Sequence, residues 1–458
     1  MELIYGIKDR PSLDKVFLFA LQQLLAIMAA TIAVPAIVGN GLSASAALFG
    51  AGVGTAIYLF FTKSSSPVFL GSSFAFIGSM FSAFSGAASL AIGYWGLIIG
   101  SVMAAIVYIF ISQIVKIFGV AWIDRLMPPV IIGPTVAVIG LSLSESAITD
   151  LTTSNIEGGN SFVALICGLI TLFVTIYYSR YGKKIGKLIP FILGILSGYL
   201  VALIFAIIGH ATDNPSLVII NYSALTKLDF TKLSSYFSVP KFTVAMGGME
   251  GLKGVTGTYL LTVFTAYVPV AFVVFAEHIA DHKNLSSIVG VNLLENPGLS
   301  RTLFGDGIGV IASTMAGGCP CTTYGESIGC VAITRNASTI SIWGCALLCV
   351  IFSFFTPLVA FLETIPSCVM GGVCITLYGF ISVSGLKMFQ KVDLNENSNL
   401  FVASVILITG VGGMVIKIGK VEIRTVACAL IMGIITNIFL SRNKEKTEKE
   451  NTENSSEK

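Results

Sequence analysis

Cys319-Pro-Cys-Thr-Thr-Tyr-Gly-Glu-Ser-Ile-Gly329 sets one carboxylate, Glu326, among helix-interrupting residues in a chain that is otherwise almost wholly apolar. Bilayer hydrocarbon tolerates irregular backbone only where protein buries it or a wet cavity borders it, and an ionisable residue there is costly enough to imply use. The stretch therefore reads as a membrane-embedded site for a small polar cargo. A second punctuated stretch lies far upstream, Ser64-Ser-Ser-Pro-Val-Phe-Leu-Gly-Ser-Ser-Phe-Ala-Phe-Ile-Gly78. Pro67 and Pro320 remove amide donors, while Gly71 and Gly325 permit unusual torsions. Both segments are expected to run partly extended, with free N–H and C=O groups facing a ligand.

The surroundings are those of a polytopic membrane protein. The 458 residues are 55% hydrophobic and 11% charged, with a mean hydropathy of +0.88, and a polar surface cannot cover such a chain. Apolar runs of roughly 18 to 25 residues recur from Val16 to Leu440, the length that crosses a hydrocarbon layer about 30 Å thick. About fourteen are counted when two short ones are included. The first, Val16 to Val38, exceeds a signal-peptide core of about 7 to 15 residues and lacks an A-x-A-like site after it, so it is expected to remain as a span. Of the nine cysteines, Cys167, Cys345, Cys349, Cys374 and Cys428 sit inside apolar runs as small packing residues, and no structural disulfide is expected.

Basic residues orient the chain. With a cytoplasmic N-terminus, Lys8, Arg10, Lys15, Lys63, Arg125, Arg180, Lys183, Lys184 and Lys187 all fall inside, and roughly twenty Lys and Arg residues share that side. The stretch from Ser144 to Ser161 carries Glu145, Asp150 and Glu157 without Lys or Arg, as an outer loop does. The segment 442–458 alternates charges with Asn, Ser and Thr and reads as a disordered cytoplasmic tail. The formal charge of +3 comes mostly from loops and gives no reason to expect a nucleic-acid partner.

The largest polar interruption, His210 to Thr258, divides the apolar runs into two sets of about seven. An odd number per half places the halves in opposite orientations, the arithmetic of an inverted repeat with substrate between paired broken helices. Each punctuated stretch is the third segment of its half. A further candidate is Ala276-Glu-His-Ile-Ala-Asp-His282, where Glu277 and Asp281 share one helix face and His278 and His282 the adjacent one. Glu277 follows the apolar Val268 to Ala276 directly and is assigned to function. His282 and Lys283 are expected in water at the helix end. The two histidines have the i, i+4 spacing of a zinc pair, but Glu277 precedes His278, whereas a metalloprotease helix reads H-E-x-x-H; with three histidines in the chain no metal is expected.

These residues resemble the nucleobase–ascorbate transporter (nucleobase:cation symporter 2) family, and within it the bacterial uracil permeases. The resemblance is carried by Leu21-Gln-Gln-Leu-Leu25 with Thr31 to Pro35, Gly71-Ser-Ser-Phe-Ala-Phe-Ile77, Ala276-Glu-His-Ile279, Asn296-Pro-Gly-Leu299 with Gly305-Asp-Gly307, and Thr322-Thr-Tyr-Gly-Glu326 continuing to Val331-Ala-Ile-Thr-Arg335. It implies an all-α fold of fourteen spans in a seven-plus-seven inverted repeat, with short extended stretches in spans 3 and 10. It also implies a core domain (spans 1–4 and 8–11) and a gate domain (spans 5–7 and 12–14). The corresponding division is a cytoplasmic N-terminus 1–15, core 16–125, gate 126–209, extracellular connection 210–258, core 259–363, gate 364–441 and tail 442–458. Location in the cell membrane with both termini cytoplasmic, homodimerisation through the gate, and no cofactor or enzymatic step beyond the coupling proton complete the expectation.

Carried over position by position, the resemblance makes Glu277 and Glu326 the carboxylates that hold a base. Phe74 and Gly325 offer backbone amides, Tyr324 lies beside the ligand, and Ser73, Thr323 and Ser327 support the site. A pyrimidine-2,4-dione alternates N–H donors with C=O acceptors, so carboxylates accept from the first and amides donate to the second. Phe74 or Tyr324 then covers a ring face. Similar xanthine and urate carriers usually have Gln where Glu326 stands, which favours uracil. Two positions depart from the family: Cys321 and Ser327 stand where Asn is usual, and Asp281 stands where some relatives carry a proton-coupling histidine. Glu277 is expected to load a proton together with uracil, and Asp281 to share it. Another nucleobase, an anion and a channel pore are the alternatives, the last disfavoured by spans with few polar residues.

Overall fold

The structure, a computed structural model, describes residues 3–119, 128–154, 156, 158–183, 186, 189–226, 228–232, 235–418, 421–423 and 425–456. Arg125, Glu157, Lys184 and Lys187 lie outside the described residues. The first part of the chain forms α1 (Leu13–Val38), α2 (Ala44–Phe61), the short strand β1 (Leu70–Ser72), a 3-10 turn (Phe74–Phe76), α3 (Ile77–Ser85), α4 (Leu90–Phe118), α5 (Pro129–Ser142), α6 (Ser144–Thr152), α7 (Ser161–Tyr181) and α8 (Pro190–Ala211). The polar interruption holds α9 (Ser223–Thr226) and α10 (Thr243–Lys253). Then come α11 (Gly257–Val289), α12 (Leu299–Gly317), β2 (Cys321–Thr323), α13 (Gly325–Thr334), α14 (Thr339–Ser353), α15 (Thr356–Glu363), α16 (Ser367–Met388), α17 (Asn397–Val411), a hairpin of β3 (Ile416–Ile418) and β4 (Val421–Ile423), and α18 (Thr425–Ser456).

Local chemistry sets these boundaries. Ser43, Ser89, Asn160 and Thr256 accept hydrogen bonds from first-turn amides of α2, α4, α7 and α11, and prolines open α5 and α8, where a missing N–H costs nothing. Eight helices among the described residues are long and apolar enough to cross a membrane, and four shorter apolar helices accompany them. The α18 helix runs on to Ser456. It carries helical backbone through most of the segment that composition assigns to a disordered tail, because Lys and Glu are strong helix formers.

The helices pack as two groups. In one, α2 and α4 lie against α12, α14 against α1 and α2, and α11 against α4. In the other, α5 and α7 flank α16, α8 lies on α7, and α17 sits between α5 and α18. Small residues permit close crossings: a Cβ on Gly50 of α2 would come within 2.5 Å of the Ser313 carbonyl of α12, and one on Gly140 of α5 would come closer still to the Tyr378 carbonyl of α16. Such close approach replaces the hydrophobic drive that lipid does not supply. All nine cysteines are free thiols inside the packed protein.

The chain's first residues are also docked. Amides of Ile4 and Tyr5 donate to the Arg335 carbonyl, and Ala337 and Thr339 donate back to Tyr5 and Ile7. This strap marks one end of the helical bundle, beside the end of α13.

Candidate functional site

The two punctuated stretches meet. β1 pairs antiparallel with β2, in the register Leu70 with Thr323, Gly71 with Thr322 and Ser72 with Cys321. The ladder continues on either side, since Ser73 N–H donates to the Pro320 carbonyl at 2.8 Å and Tyr324 N–H to the Phe69 carbonyl at 3.2 Å. Each strand thereby satisfies backbone groups that broken helices leave open inside the membrane. Glycine is required at position 71, because the Tyr324 ring lies flat across the strand and would overlap any Cβ there. The Tyr324 hydroxyl then donates to the Ser72 carbonyl at 2.7 Å, so this side chain locks the hairpin while it lines the site.

Beyond the strands, the 3-10 turn leading into α3 starts at Phe74 and α13 starts at Gly325. First-turn amides have no partner within their own helix, and the helix dipole adds positive charge at the same end. Phe74 and Gly325 both border a cavity of about 340 Å3. Glu277 and Asp281 of α11 face the same space, as do Glu326, Ser73 and Thr323. The three carboxylates are half-buried. Thr323 Oγ1 donates to Asp281 Oδ2 at 2.8 Å, binding α11 to β2. Ser327 lies behind this wall rather than in it; its hydroxyl accepts from Gln23 Nε2 at 2.6 Å and from the Phe69 amide at 2.9 Å. Serine in place of the usual Asn thus still ties α1 and the start of β1 to α13.

The opposite wall is apolar and comes from the second helix group, with Val136, Ile139, Phe191 and Phe380. Phe74 meets Tyr378 of that group edge to face, with centroids 5.6 Å apart. Nothing in the sequence singles these residues out, because an apolar side chain on an apolar helix carries no signal. At its far end the cavity reaches Ser179, Ile333 and Met388, toward the end of the bundle where the N-terminal strap docks.

His282 is placed differently from expectation. His282 is 1% exposed, not in water, because α11 continues to Val289 and the segment after α2 folds over it. His282 Nδ1–H donates to the His278 carbonyl at 2.8 Å, and Nε2 lies 2.9 Å from the Tyr58 hydroxyl. His278 is fully buried; its Nδ1 lies 2.9 Å from Asp306 Oδ2 and its Nε2 2.9 Å from Thr302 Oγ1. With both nitrogens of each ring engaged by protein groups, neither imidazole offers a lone pair to zinc. Asp306 carries a signal of its own in the sequence, as an ionisable residue within α12 of an otherwise apolar chain.

Residues 14–419 match the model described as "Permease family". The chain belongs to that permease family. The permease is 35% identical to the uracil permease of Bacillus subtilis (strain 168), over 96% of both chains. It is 36% identical to that of Bacillus caldolyticus, over 99% of this chain and 98% of the other. The uracil permease of Escherichia coli (strain K12) is 35% identical over 94% and 92% of the two chains. In fold the permease resembles the transmembrane domain of the cyanobacterial bicarbonate transporter BicA, with TM-score 0.59 at 15% identity over 94% of this chain and 100% of that one. It also resembles murine Slc26a9, with TM-score 0.65 at 12% identity over 95% and 69%.

Proposed function

We propose that this permease carries uracil into the cell together with protons, by alternating access. The observation that carries the reading is the cavity bordered by Glu277, Glu326 and two helix N-termini. Carboxylates there accept from the ring N–H groups, while the Phe74 and Gly325 amides donate to the ring oxygens. The full-length similarity to proteins named uracil permease supports this choice among bases. An anion would meet three carboxylates, which disfavours a bicarbonate- or sulfate-like cargo despite the shared fold.

The two helix groups serve as core and gate of a fourteen-span, seven-plus-seven repeat, with both termini cytoplasmic and the gate forming the homodimer contact. Glu277, Asp281 and Glu326 share one cavity, so their mutual repulsion is relieved when a proton enters with the base. Glu277 takes that proton and Asp281, one turn along and held by Thr323, shares it. Loading neutralises the site and lets the core move against the gate; release into a more alkaline cytosol resets it.

The test is uptake of labelled uracil into proteoliposomes under an inward proton gradient, with a protonophore control and unlabelled xanthine, thymine and sulfate as competitors. Gradient-driven accumulation blocked by uracil and not by xanthine is the expected result. Glu277→Gln should abolish accumulation above equilibrium while uracil exchange persists. Accumulation that survives in this variant would remove Glu277 from proton coupling.

A further inference from the structure

A second cavity, of about 400 Å3, lies across a thin partition from the site. Phe74, Ala75 and Ile139 line both spaces and so form part of the partition between them. The second space opens away from the N-terminal strap, on the face that the proposed topology makes extracellular. One wall is polar: Ser142, Glu145, Ser146, Thr149 and Asp150 fall at helical spacing along the end of α5 and α6 and all line the cavity. The facing wall is apolar, with Phe74 and Phe81 from the α3 segment and Val270 from α11. Asp150 is half-buried. Among the described residues no ion pair to Glu145 or Asp150 is present.

This is the chemistry of the central site with its walls exchanged. There, the core supplies carboxylates and the gate supplies apolar surface; here, the gate helices supply carboxylates and hydroxyls and the core supplies aromatic surface. The volume falls within the roughly 300–1,000 Å3 range of small-molecule pockets. We propose that this outer cavity is a second binding station for the same class of ligand, a planar single-ring heterocycle bearing N–H donors and carbonyl acceptors. Asp150 accepts from a ring N–H, Thr149 and Ser146 complete the polar edge, and Phe74 covers a ring face. Because Phe74 borders both spaces, a base leaves the outer station by crossing the Phe74–Ile139 partition. The proposal rests on the uracil reading of the central site.

Equilibrium binding of labelled uracil to the purified full-length permease tests it. Wild type should show two saturable components, and Glu326→Ala should remove the tighter one and leave a weaker one of one base per chain. Adding Asp150→Asn to that variant should weaken the remainder about tenfold or more, the loss expected for a hydrogen bond to a charged acceptor. Size-exclusion profiles establish that each variant is folded. Asp150→Asn alone should raise the half-saturating concentration for uptake from outside while leaving the tight component unchanged, and this measurement stands if the double variant does not fold. A single component lost entirely in Glu326→Ala overturns the outer station and leaves the central reading intact, as does a weak component indifferent to Asp150→Asn. Wild type that binds no uracil at all sinks the central reading and this one with it.

Discussion

The two faces of α11 carry the same kinds of side chain to opposite ends. On the front, Glu277 and Asp281 are half-buried and border the cavity. On the back, one residue along from each, His278 and His282 are buried, stacked with centroids 4.1 Å apart, and saturated by Asp306, Thr302, Tyr58 and a backbone carbonyl. Residue type does not separate the roles, since all four side chains titrate in water. Hydrogen-bond saturation does: a group whose partners are all protein is architecture, and a group left facing space is available to a ligand.

The sharpest attempt to break this division is His278→Leu. Removing His278 leaves Asp306 and Thr302 buried without their hydrogen-bond partner, at about 1–3 kcal/mol each, so the expected outcome is a loss in the yield of monodisperse protein and a large fall in Tm. A variant that stayed stable yet lost only gradient-driven accumulation would move His278 to the functional side. Next in size, Glu326→Gln should lose about 1.5–3 kcal/mol of uracil binding, roughly 10- to 100-fold in Kd, at every pH and with Tm little changed. Unchanged affinity in a binding titration would strip Glu326 of its contact role. The smallest effect belongs to Tyr58→Phe, which should cost about 1 kcal/mol of stability. A shift in uracil Kd in that variant would show that the back face reaches the site after all.

What was legible in the sequence follows from contrast. Carboxylates, glycines and prolines stand out against apolar runs, so Glu277, Asp281, Glu326 and both broken segments could be read directly, and the structure brings them to one cavity. The burial of His282 was not legible, because a histidine at a helix end reads equally as solvated or packed until the segment covering it is known. Asp306 carried a signal that its neighbouring glycines obscured. The apolar wall of Val136, Phe191 and Phe380 was invisible in principle, since only three-dimensional placement distinguishes it from lipid-facing surface.

The β1–β2 ladder also constrains biosynthesis. Its strands come from opposite halves of the chain, and the bond from Tyr324 to Ser72 joins residues 252 positions apart. When β1 leaves the ribosome, its partner has yet to be translated, and unpaired backbone groups cannot rest in hydrocarbon without a cost of several kcal/mol each. The nascent first half must therefore wait with this segment hydrated or sheltered by the insertion machinery. The candidate site is assembled late, when the second half arrives to close the hairpin, and a truncated first half should be an early substrate for membrane quality control.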